Sequence, residues 1–337
     1  MVLLIIFLGL MACGGKNMSL VEKENKADET HTEIKHKKRI IGFSQVGAES
    51  EWRKAITRSI LEEFASAPNL ELQISDGHGI QENQVKDIRA FIARKVDLIV
   101  LAPVVETGWD LVLTEARKAK IPVIIINRTL KLKSGNSLDD YIVTLIAPDN
   151  VESGKKAANF LVDRFKNTKD DVNIAVLEGT ADSSPAVDRK AGFEEIIKKQ
   201  SNFKIIKSQS GNFNKAEGRE TMGTIFREVR AENKKIDALY CQNEDMALGA
   251  IDVIEAAGFK PGSDIVIVSN GGLRSTFQAM TEGKINANVD NPPQYGPILV
   301  RTIIDYFENR PIGKWIKLDN RLYTQDVAAK ELINRKY

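Results

Sequence analysis

Apolar runs and amphipathic stretches alternate along the chain from residue 39 onward. The runs are continuous in Val, Ile and Leu, which is typical of parallel strands that helices cover on both faces. The pattern predicts strands at Arg39–Val46, Leu70–Ser75, Asp97–Pro103, Pro122–Asn127 and Tyr141–Pro148. It predicts helices at Glu51–Ala65, Gln81–Lys95, Gly108–Lys120 and Val151–Phe165. This part of the chain therefore predicts a parallel α/β sheet.

The rhythm is interrupted at Pro148-Asp149-Asn150 and then begins again. Further strands are predicted at Asn173–Leu177, Phe203–Ser208, Asp237–Gln242, Asp264–Ser269 and Asn286–Asn291. The helices between them are predicted at Ala186–Lys199, Lys215–Ala231, Asp245–Gly258 and Leu273–Gly283. Two successive sets of βαβ units favour two doubly wound, Rossmann-like lobes joined by a hinge. A single eight-fold barrel is the alternative architecture.

A polar segment follows the first predicted strand, where open α/β sheets bind their ligands. Ser50 is placed to cap the next helix. Glu49, Trp52 and Arg53 are spaced i, i+3 and i+4, so a helix would present them on one face. An acceptor, a flat aromatic ring and a five-donor guanidinium suit a polyhydroxylated ring. The alternative interpretation is a solvated first turn with a half-buried Trp.

Polar residues also follow other predicted strands. They are Asn127-Arg128, Gln242-Asn243-Glu244-Asp245, Asn270-Gly271-Gly272, and Asp290 ahead of Pro292-Pro293. If two lobes face each other across a cleft, we expect these strand ends to converge on one cavity.

The N-terminal segment is predicted to lie outside the fold. Val2 to Met11 is nearly all apolar, about the length of a signal-peptide core and too short for a comfortable membrane span. It ends in Leu10-Met11-Ala12-Cys13-Gly14, which resembles a bacterial lipobox, so we expect Cys13 to be lipidated. An ordinary secretory signal or a weak anchor with an incidental cysteine is the alternative. Residues 14–38 are rich in charge and predict a flexible tether.

Composition narrows the function further. The 337 residues suffice for two domains, and a net charge of +2 gives no reason to expect a nucleic-acid partner. The remaining cysteine, Cys241, lies in an apolar strand and is expected to be buried and inert. No P-loop, no G-x-G-x-x-G after the first strand and no G-x-S-x-G motif is present. The three histidines suggest no metal site, and no cofactor is expected, although spacing alone leaves a carboxylate enzyme open.

Several motifs resemble the sugar-binding proteins of bacterial ABC transporters, and in particular their galactofuranose-binding subgroup. The subgroup-specific motif is the opening block, Gly42-Phe43-Ser44-Gln45-Val46-Gly47-Ala48-Glu49-Ser50-Glu51-Trp52-Arg53, and the resemblance continues in Gln81-Glu82-Asn83-Gln84 and Ala102-Pro103-Val104-Val105-x-Thr107-Gly108-Trp109. Motifs shared with ribose and galactose binders are Asp188-Arg189-Lys190-x-Gly192-Phe193, Ser208-Gln209-Ser210-Gly211-x-Phe213, Asn243-Glu244-Asp245-Met246 and Lys260-Pro261-Gly262-x-Asp264-Ile265. The resemblance runs from Arg39 to the C-terminus and implies a type I periplasmic binding protein fold.

By this resemblance, two lobes joined by three hinge strands close over one monosaccharide. The implied contacts are Gln45, Glu49, Trp52, Arg53, Asn127 and Arg128 from the first lobe, and Arg189, Phe213, Asn243, Asn270 and Asp290 from the second. The aromatic rings would lie against the sugar, the arginines would donate, and the carboxylates and amides would accept. The implied lobes are residues 39–147 plus about 292–320, and 148–291 plus about 321–337.

The sequence departs from the resembled pattern twice. The residue before Arg128 is usually Asp and here is Asn127, and the Ser-x-Asp-Gly pattern reads Ser269-Asn270-Gly271-Gly272. An amide keeps one acceptor but loses the negative charge and adds a donor. The sequence therefore supports a monosaccharide more firmly than galactofuranose in particular.

The function implied is a monomeric, exported lipoprotein that binds a sugar and delivers it to an ABC transporter permease. It would be held at the outer face of the cytoplasmic membrane, or in the periplasm, by its lipid. The main alternative is a sugar-sensing receptor that feeds a chemoreceptor or a two-component kinase. A transcription regulator is disfavoured by the export signal. A glycosidase would need two carboxylates across a sugar cleft, for which Glu49 and Asp290 are the candidates.

Overall fold

Two open six-stranded sheets, each covered by helices, make up the fold. A computed structural model describes residues 38–47 and 50–337. The strands of the first sheet are β1 (Arg39–Gln45), β2 (Leu70–Asp76), β3 (Leu98–Leu101), β4 (Val123–Ile126), β5 (Thr144–Pro148) and β11 (Trp315–Leu318). The second sheet contains β6 (Val172–Glu178), β7 (Phe203–Ser210), β8 (Ala238–Cys241), β9 (Val266–Gly271), β10 (Ala287–Asp290) and β12 (Leu322–Thr324).

Helices cover both faces of each sheet. The helices that pack on the first sheet are α1 (Glu51–Ala65), α2 (Gln81–Arg94), α3 (Asp110–Lys118) and α9 (Gly296–Phe307). A short 3-10 helix spans Leu138–Asp140. The helices that pack on the second sheet are α4 (Asn150–Arg164), α5 (Ser184–Ile197), α6 (Lys215–Ala231), α7 (Glu244–Ala256), α8 (Arg274–Thr281) and α10 (Gln325–Asn334). The central strands β3 and β4 are buried along their whole length, as their continuous apolar sequence predicts.

The strand order confirms the prediction of two doubly wound lobes. It is β11-β5-β4-β3-β1-β2 in the first sheet and β12-β10-β9-β8-β6-β7 in the second. All neighbouring strands are parallel except β12, which runs antiparallel to β10. We call the layers around these sheets the first and the second lobe. The alternative of one eight-fold barrel is wrong, because both sheets are open.

The chain passes between the lobes three times. It crosses after β5 at Pro148, returns after β10 at Asp290, and crosses again between β11 and β12. The sequence pattern predicted no elements beyond Asn291, where α9, β11, β12 and α10 lie. The predicted lobe boundaries stay a prediction, and the predicted signal peptide and tether lie outside the described residues except for Lys38. In the described part of the chain, every helix is too short or too polar to cross a bilayer.

Candidate functional site

A cavity lies at the carboxyl ends of the strands, between the lobes. In each sheet the strand order reverses once, between β1 and β3 and between β6 and β8, and such switch points leave a crevice for ligands. Both lobes contribute to its lining, which consists of Ser50, Trp52, Arg53, Asn127, Arg128, Pro185, Arg189, Phe213, Asn243, Glu244, Asn270, Gly271 and Asn291. The predicted convergence of strand ends is therefore present in the structure for Asn127, Arg128, Asn243 and Asn270, but not for Asp290.

The first turn of α1 carries Trp52 and Arg53 into this cavity. Ser50 caps the helix, its hydroxyl accepting from the Arg53 N–H at 3.1 Å, as predicted. The Trp52 indole N–H donates to the Asn291 carbonyl at 2.6 Å, which ties α1 to the segment after β10. Both side chains are buried, Arg53 with only 3% of its surface exposed. The alternative of a solvated first turn is therefore wrong.

The Asn127 amide connects Arg53 to the second chain crossing. Its oxygen accepts from Arg53 Nη2 at 3.0 Å, and its nitrogen donates to the Tyr295 hydroxyl at 3.3 Å. Asn127 has a φ of 66°, in the left-handed region that Asn tolerates better than most residues. Burial raises the pKa of Tyr295 to about 12, so this hydroxyl is neutral.

Phe213 closes the cavity from the second lobe and faces Arg128 of the first. The Arg128 guanidinium lies 5.7 Å from the centre of the Phe213 ring, a cation–π distance, and Arg128 Nη1 donates to the Val104 carbonyl at 2.8 Å. Phe213 has a φ of 58°, which is rare for a bulky side chain and marks a held conformation. A Cβ on Gly179 would lie 1.9 Å from the ring, so only glycine fits beneath it.

Arg189 reaches the cavity from α5 and is almost wholly buried, with 4% exposed. Its Nη1 donates to the Gln242 carbonyl at 2.6 Å. Among the described residues, its Nε has no hydrogen-bond partner. Burial lowers the pKa of Arg189, while nearby Tyr240, Tyr295 and acidic groups oppose this shift.

Two asparagines at strand ends complete the second lobe's lining. The Asn243 oxygen caps α7 by accepting from the Met246 N–H at 3.0 Å, and its nitrogen donates to the Phe213 carbonyl at 2.9 Å. The Asn270 oxygen accepts from the Tyr240 hydroxyl at 2.9 Å. The Asn270 Nδ2 is buried and unpartnered within the described chain. Asn243 is thus fixed by the fold, whereas Asn270 keeps a donor for a ligand.

Glu244 is fully buried beside the cavity. It accepts from the N–H groups of Gly272 at 3.1 Å and Leu273 at 2.9 Å and from the Thr276 hydroxyl. Burial and the neighbouring Asp245 raise the pKa of Glu244 to about 8, against the lowering effect of these donors. The side chain therefore holds the first turn of α8 in place.

The two lobes also touch around the cavity. The Thr129 N–H donates to the Ser184 hydroxyl at 2.8 Å, and the Glu106 N–H donates to the Asp182 carbonyl at 2.9 Å. Asp245, at the start of α7, lies near the backbone N–H groups of Glu51 and Trp52 in the first turn of α1, which lower its pKa, but burial outweighs them and raises the pKa of Asp245 to about 6. These contacts close the cleft over the cavity.

Two predicted contacts lie elsewhere. Gln45 donates to Asp76 at 3.2 Å and accepts from the Thr57 hydroxyl at 2.5 Å, outside the cavity lining. Asp290 forms a bidentate ion pair with Arg335, both bonds 2.8 Å long, and also does not line the cavity.

The remaining predicted positions have other outcomes. Glu49 and Cys13 lie outside the described residues. Cys241 is buried, as predicted, and burial raises the pKa of its thiol.

Five residues that were not among the predicted contacts also line the cavity: Ser50, Pro185, Glu244, Gly271 and Asn291. The sequence did point to two of them, because Ser50 and Glu244 lie next to the predicted starts of helices. Asn291 directly precedes the Pro292-Pro293 pair.

The part of the chain that the structure describes contains no group of three or more His, Cys, Asp or Glu residues placed to hold a metal ion. This arrangement of donors, amides and aromatic rings is suited to binding a polar ring.

Comparison with known proteins gives the same picture. The profile of the periplasmic binding protein domain family matches residues 41–311. The chain is 39% identical over 299 residues to the galactofuranose-binding protein YtfQ of Escherichia coli K12, covering 88% of this chain and 91% of that protein.

Two solved structures are similar throughout. One is the periplasmic binding protein component of the arabinose ABC transporter from Shewanella sp. ANA-3, bound to α- and β-L-arabinofuranose. It is 40% identical with a TM-score of 0.81, covering 88% of this chain and 95% of that one. The other is a chain from Mycobacterium smegmatis in complex with β-D-fucofuranose, 39% identical with a TM-score of 0.83, covering 89% and 95%.

Proposed function

The chain belongs to the periplasmic binding protein domain family, and from this premise we propose that it binds one monosaccharide in the furanose form. The observation that carries the proposal is the cavity between the lobes, which Trp52 and Arg53 enter from one side and Arg189 and Phe213 from the other. The relatives described above bind galactofuranose, L-arabinofuranose or β-D-fucofuranose, and they match this chain over both lobes.

The chemistry of the cavity supports a sugar ligand. Trp52 and Phe213 offer apolar faces, and the arginines offer charged donors to hydroxyl and ring oxygens. A hydrogen bond to a charged group contributes about 1.5–3 kcal/mol. A few such bonds together with stacking reach the roughly 8 kcal/mol that a micromolar affinity requires.

A thermal-shift panel tests the proposal. L-Arabinose, D-galactose and D-fucose populate furanose forms in solution, and a ligand that binds only the folded state raises the melting temperature. We expect at least one monosaccharide of a broad panel to raise it, and the Trp52→Ala variant to lose most of that rise. No shift with any sugar, acidic sugars included, would refute the proposal.

We further propose that the protein is the solute-binding lipoprotein of an ABC importer and that its closed form delivers the sugar to the permease. The similar solved structure from Shewanella sp. ANA-3, which is named as the binding component of an arabinose ABC transporter, supports this role. Ligand binding would shift an open–closed equilibrium by its preference for the closed form. Deletion of the gene is expected to abolish uptake of the sugar. Normal uptake together with a lost transcriptional or chemotactic response would favour the sugar-sensing receptor instead.

The anchor is proposed to be a lipid on Cys13, which holds an exported monomer at the outer face of the cytoplasmic membrane or in the periplasm. Two or more acyl chains anchor a protein stably, whereas one does not. Cys13→Ser is therefore expected to release the protein into the soluble fraction after export. Unchanged membrane association would contradict lipidation.

The family is one of binding proteins, and we propose that this chain likewise binds its sugar without cleaving it. The Asp290 carboxylate is already paired with Arg335, which leaves it poorly placed as a general acid. Purified protein is expected to release no reducing sugar from furanoside substrates, and release at a rate that scales with protein would contradict this.

A further inference from the structure

Tyr240 lies behind the wall of the cavity, on the same face of the second sheet as Asn270. Tyr240 of β8 is opposite Val268 of β9, so Asn270, two residues further along β9, is its diagonal neighbour. The Tyr240 hydroxyl donates to the Asn270 amide oxygen at 2.9 Å. Asn270 lines the cavity and Tyr240 does not, so the tyrosine supports a cavity residue from behind.

The Tyr240 side chain is held in place and keeps its proton. It is fully buried and stacks on Phe193, with the ring centres 4.4 Å apart and the ring planes 14° from parallel. Burial raises the pKa of the Tyr240 hydroxyl, and the positive charge of Arg189 opposes this rise without reversing it. Within the described chain, the Asn270 oxygen is the one acceptor that this hydroxyl meets.

The bond from Tyr240 fixes which end of the Asn270 amide faces the cavity. With the amide turned over, its NH₂ group would donate to Tyr240, and the Tyr240 proton would be buried without an acceptor, which is unfavourable. A ligand in the cavity could not supply that acceptor, because Tyr240 is fully buried and lies outside the lining. In the observed orientation the atom left over is Asn270 Nδ2, which is buried and has no hydrogen-bond partner among the described residues.

We propose that Tyr240 is a positioning residue that holds the Asn270 amide so that Nδ2 donates to an oxygen of the bound sugar. This inference rests on the proposed function, because it gives the polarity of one contact in the same cavity. An amide that is free to turn can offer a ligand either a donor or an acceptor. The held amide offers a donor only. It therefore selects a sugar oxygen that accepts at this point and disfavours a hydroxyl that has to donate there.

A double-mutant cycle tests whether Tyr240 acts through Asn270. Calorimetry measures the dissociation constant of Tyr240→Phe, Asn270→Ala, the double variant and the original protein for L-arabinose, D-galactose, D-fucose and any other sugar that gives a thermal shift. We expect Tyr240→Phe to raise the constant on the order of threefold to tenfold in the original protein. In the Asn270→Ala background the same change is expected to leave the constant within about twofold.

Two results of the cycle would overturn the inference. One is an unchanged constant in Tyr240→Phe, and the other is an equal effect of Tyr240→Phe in both backgrounds, since the hydroxyl would then not act through Asn270. Tyr141→Phe is the matched control, because the Tyr141 hydroxyl also bonds an asparagine, Asn136, but outside the cavity lining. It should bind like the original protein, and circular dichroism melts show whether each variant is folded. If no sugar binds the original protein, the proposed function fails; if a sugar binds and the cycle is additive, only this inference fails.

Asn270→Asp tests the polarity of the contact through its pH profile. An ionised carboxylate offers the sugar only acceptors, whereas a protonated carboxyl group regains one O–H donor. We therefore expect the dissociation constant of the variant, divided by that of the original protein, to fall on the order of tenfold between about pH 7 and pH 5. A ratio that stays constant or rises as the pH falls would overturn the assignment of Asn270 as a donor.

The ratio isolates the introduced carboxyl group from the other groups that titrate near the cavity. Glu244, with a pKa of about 8, stays protonated over this range. Asp188 and Asp245 both have a pKa that burial raises to about 6, but they are present in both proteins, so division by the constant of the original protein removes their contribution.

Discussion

The guanidinium of Arg53 donates to the amide oxygen of Asn127 across 3.0 Å, in a part of the fold where both side chains are buried. The two residues come from the helix after β1 and from the end of β4. Their contact, together with the bond from Asn127 to Tyr295, connects one wall of the cavity to the hinge side of the fold. The cavity is thus built on the same contacts that hold the first lobe together.

Removal of the Asn127 side chain tests this connection. Asn127→Gly avoids backbone strain, since glycine tolerates a φ of 66°, but it removes the amide oxygen that accepts from Arg53 Nη2 and the amide nitrogen that donates to the buried Tyr295 hydroxyl. We expect a loss of about 1–3 kcal/mol in the free energy of unfolding, measured by urea denaturation. Asn309→Gly, at an exposed position with a φ of 56°, is the control and is expected to change little. Equal effects in both variants would argue against the role of Asn127.

Arg189 is expected to be worth more to sugar binding than its charge alone. Arg189→Lys keeps the charge but loses the planar fork, and with it at least one charge-assisted hydrogen bond. We expect the dissociation constant for the sugar to rise by roughly tenfold to a hundredfold, corresponding to about 1.5–3 kcal/mol. Arg219→Lys, at a side chain that is 64% exposed, should bind like the original protein. Calorimetry measures both, and an unchanged constant in Arg189→Lys would contradict the assigned contact.

Gly179 is expected to control the position of the Phe213 ring. In Gly179→Ala the new methyl group would lie 1.9 Å from the ring, so Phe213 has to move. We expect weaker sugar binding together with a lower melting temperature. In the control Gly223→Ala the methyl group meets only Arg227, at 3.8 Å, at a half-buried position of α6. That change should leave binding intact and stabilise α6 by about 0.5–1 kcal/mol. Normal binding by Gly179→Ala would show that the ring position is unimportant.

Glu244 makes the stability of the protein depend on pH, and the stability is expected to fall as the pH rises. Its pKa is 4.5 in the unfolded chain and about 8 in the folded one, so the folded state holds the proton more tightly. This contribution to stability is complete below pH 4.5 and is lost as the pH rises to about 8. Asp245 raises this pKa further, and Arg189 and the α8 donors oppose the rise.

Glu244→Gln removes the titration while keeping one acceptor for the start of α8. We therefore expect the melting temperature of the original protein to fall relative to that of the variant between pH 4.5 and about 8. A difference that stays constant over this range, or that changes in the opposite direction, would contradict the buried carboxylate as the cause.

The parts of the site that the sequence predicted are those fixed by local structure. Trp52 and Arg53 lie in a capped helix start after a strand end, Asn127 directly follows β4, and Asn270 is the last residue but one of β9, so topology alone brings them together. Asp290 was wrongly expected to line the cavity, because it pairs with Arg335, which comes from the C-terminal segment after three chain crossings. No local pattern encodes a contact of that kind.

The other differences have similar causes. The Gln45 side chain is held by Thr57 of the following helix and by Asp76 at the end of the neighbouring strand. The motif around the first strand contains neither partner, so it could not predict these contacts. The role of Glu244 depends on the start of α8, which is distant in sequence. The sequence predicted the helices and strands that carry these polar side chains. It did not predict the tertiary partners of the side chains.

The most direct test of the account is a crystal structure of the protein soaked with the sugar that gives the largest thermal shift. The account predicts one sugar ring between Trp52 and Phe213, within hydrogen-bond distance of Arg189 and Asn270. Sugar density at another surface, or a closed cavity that stays free of sugar at saturating concentration, would contradict it.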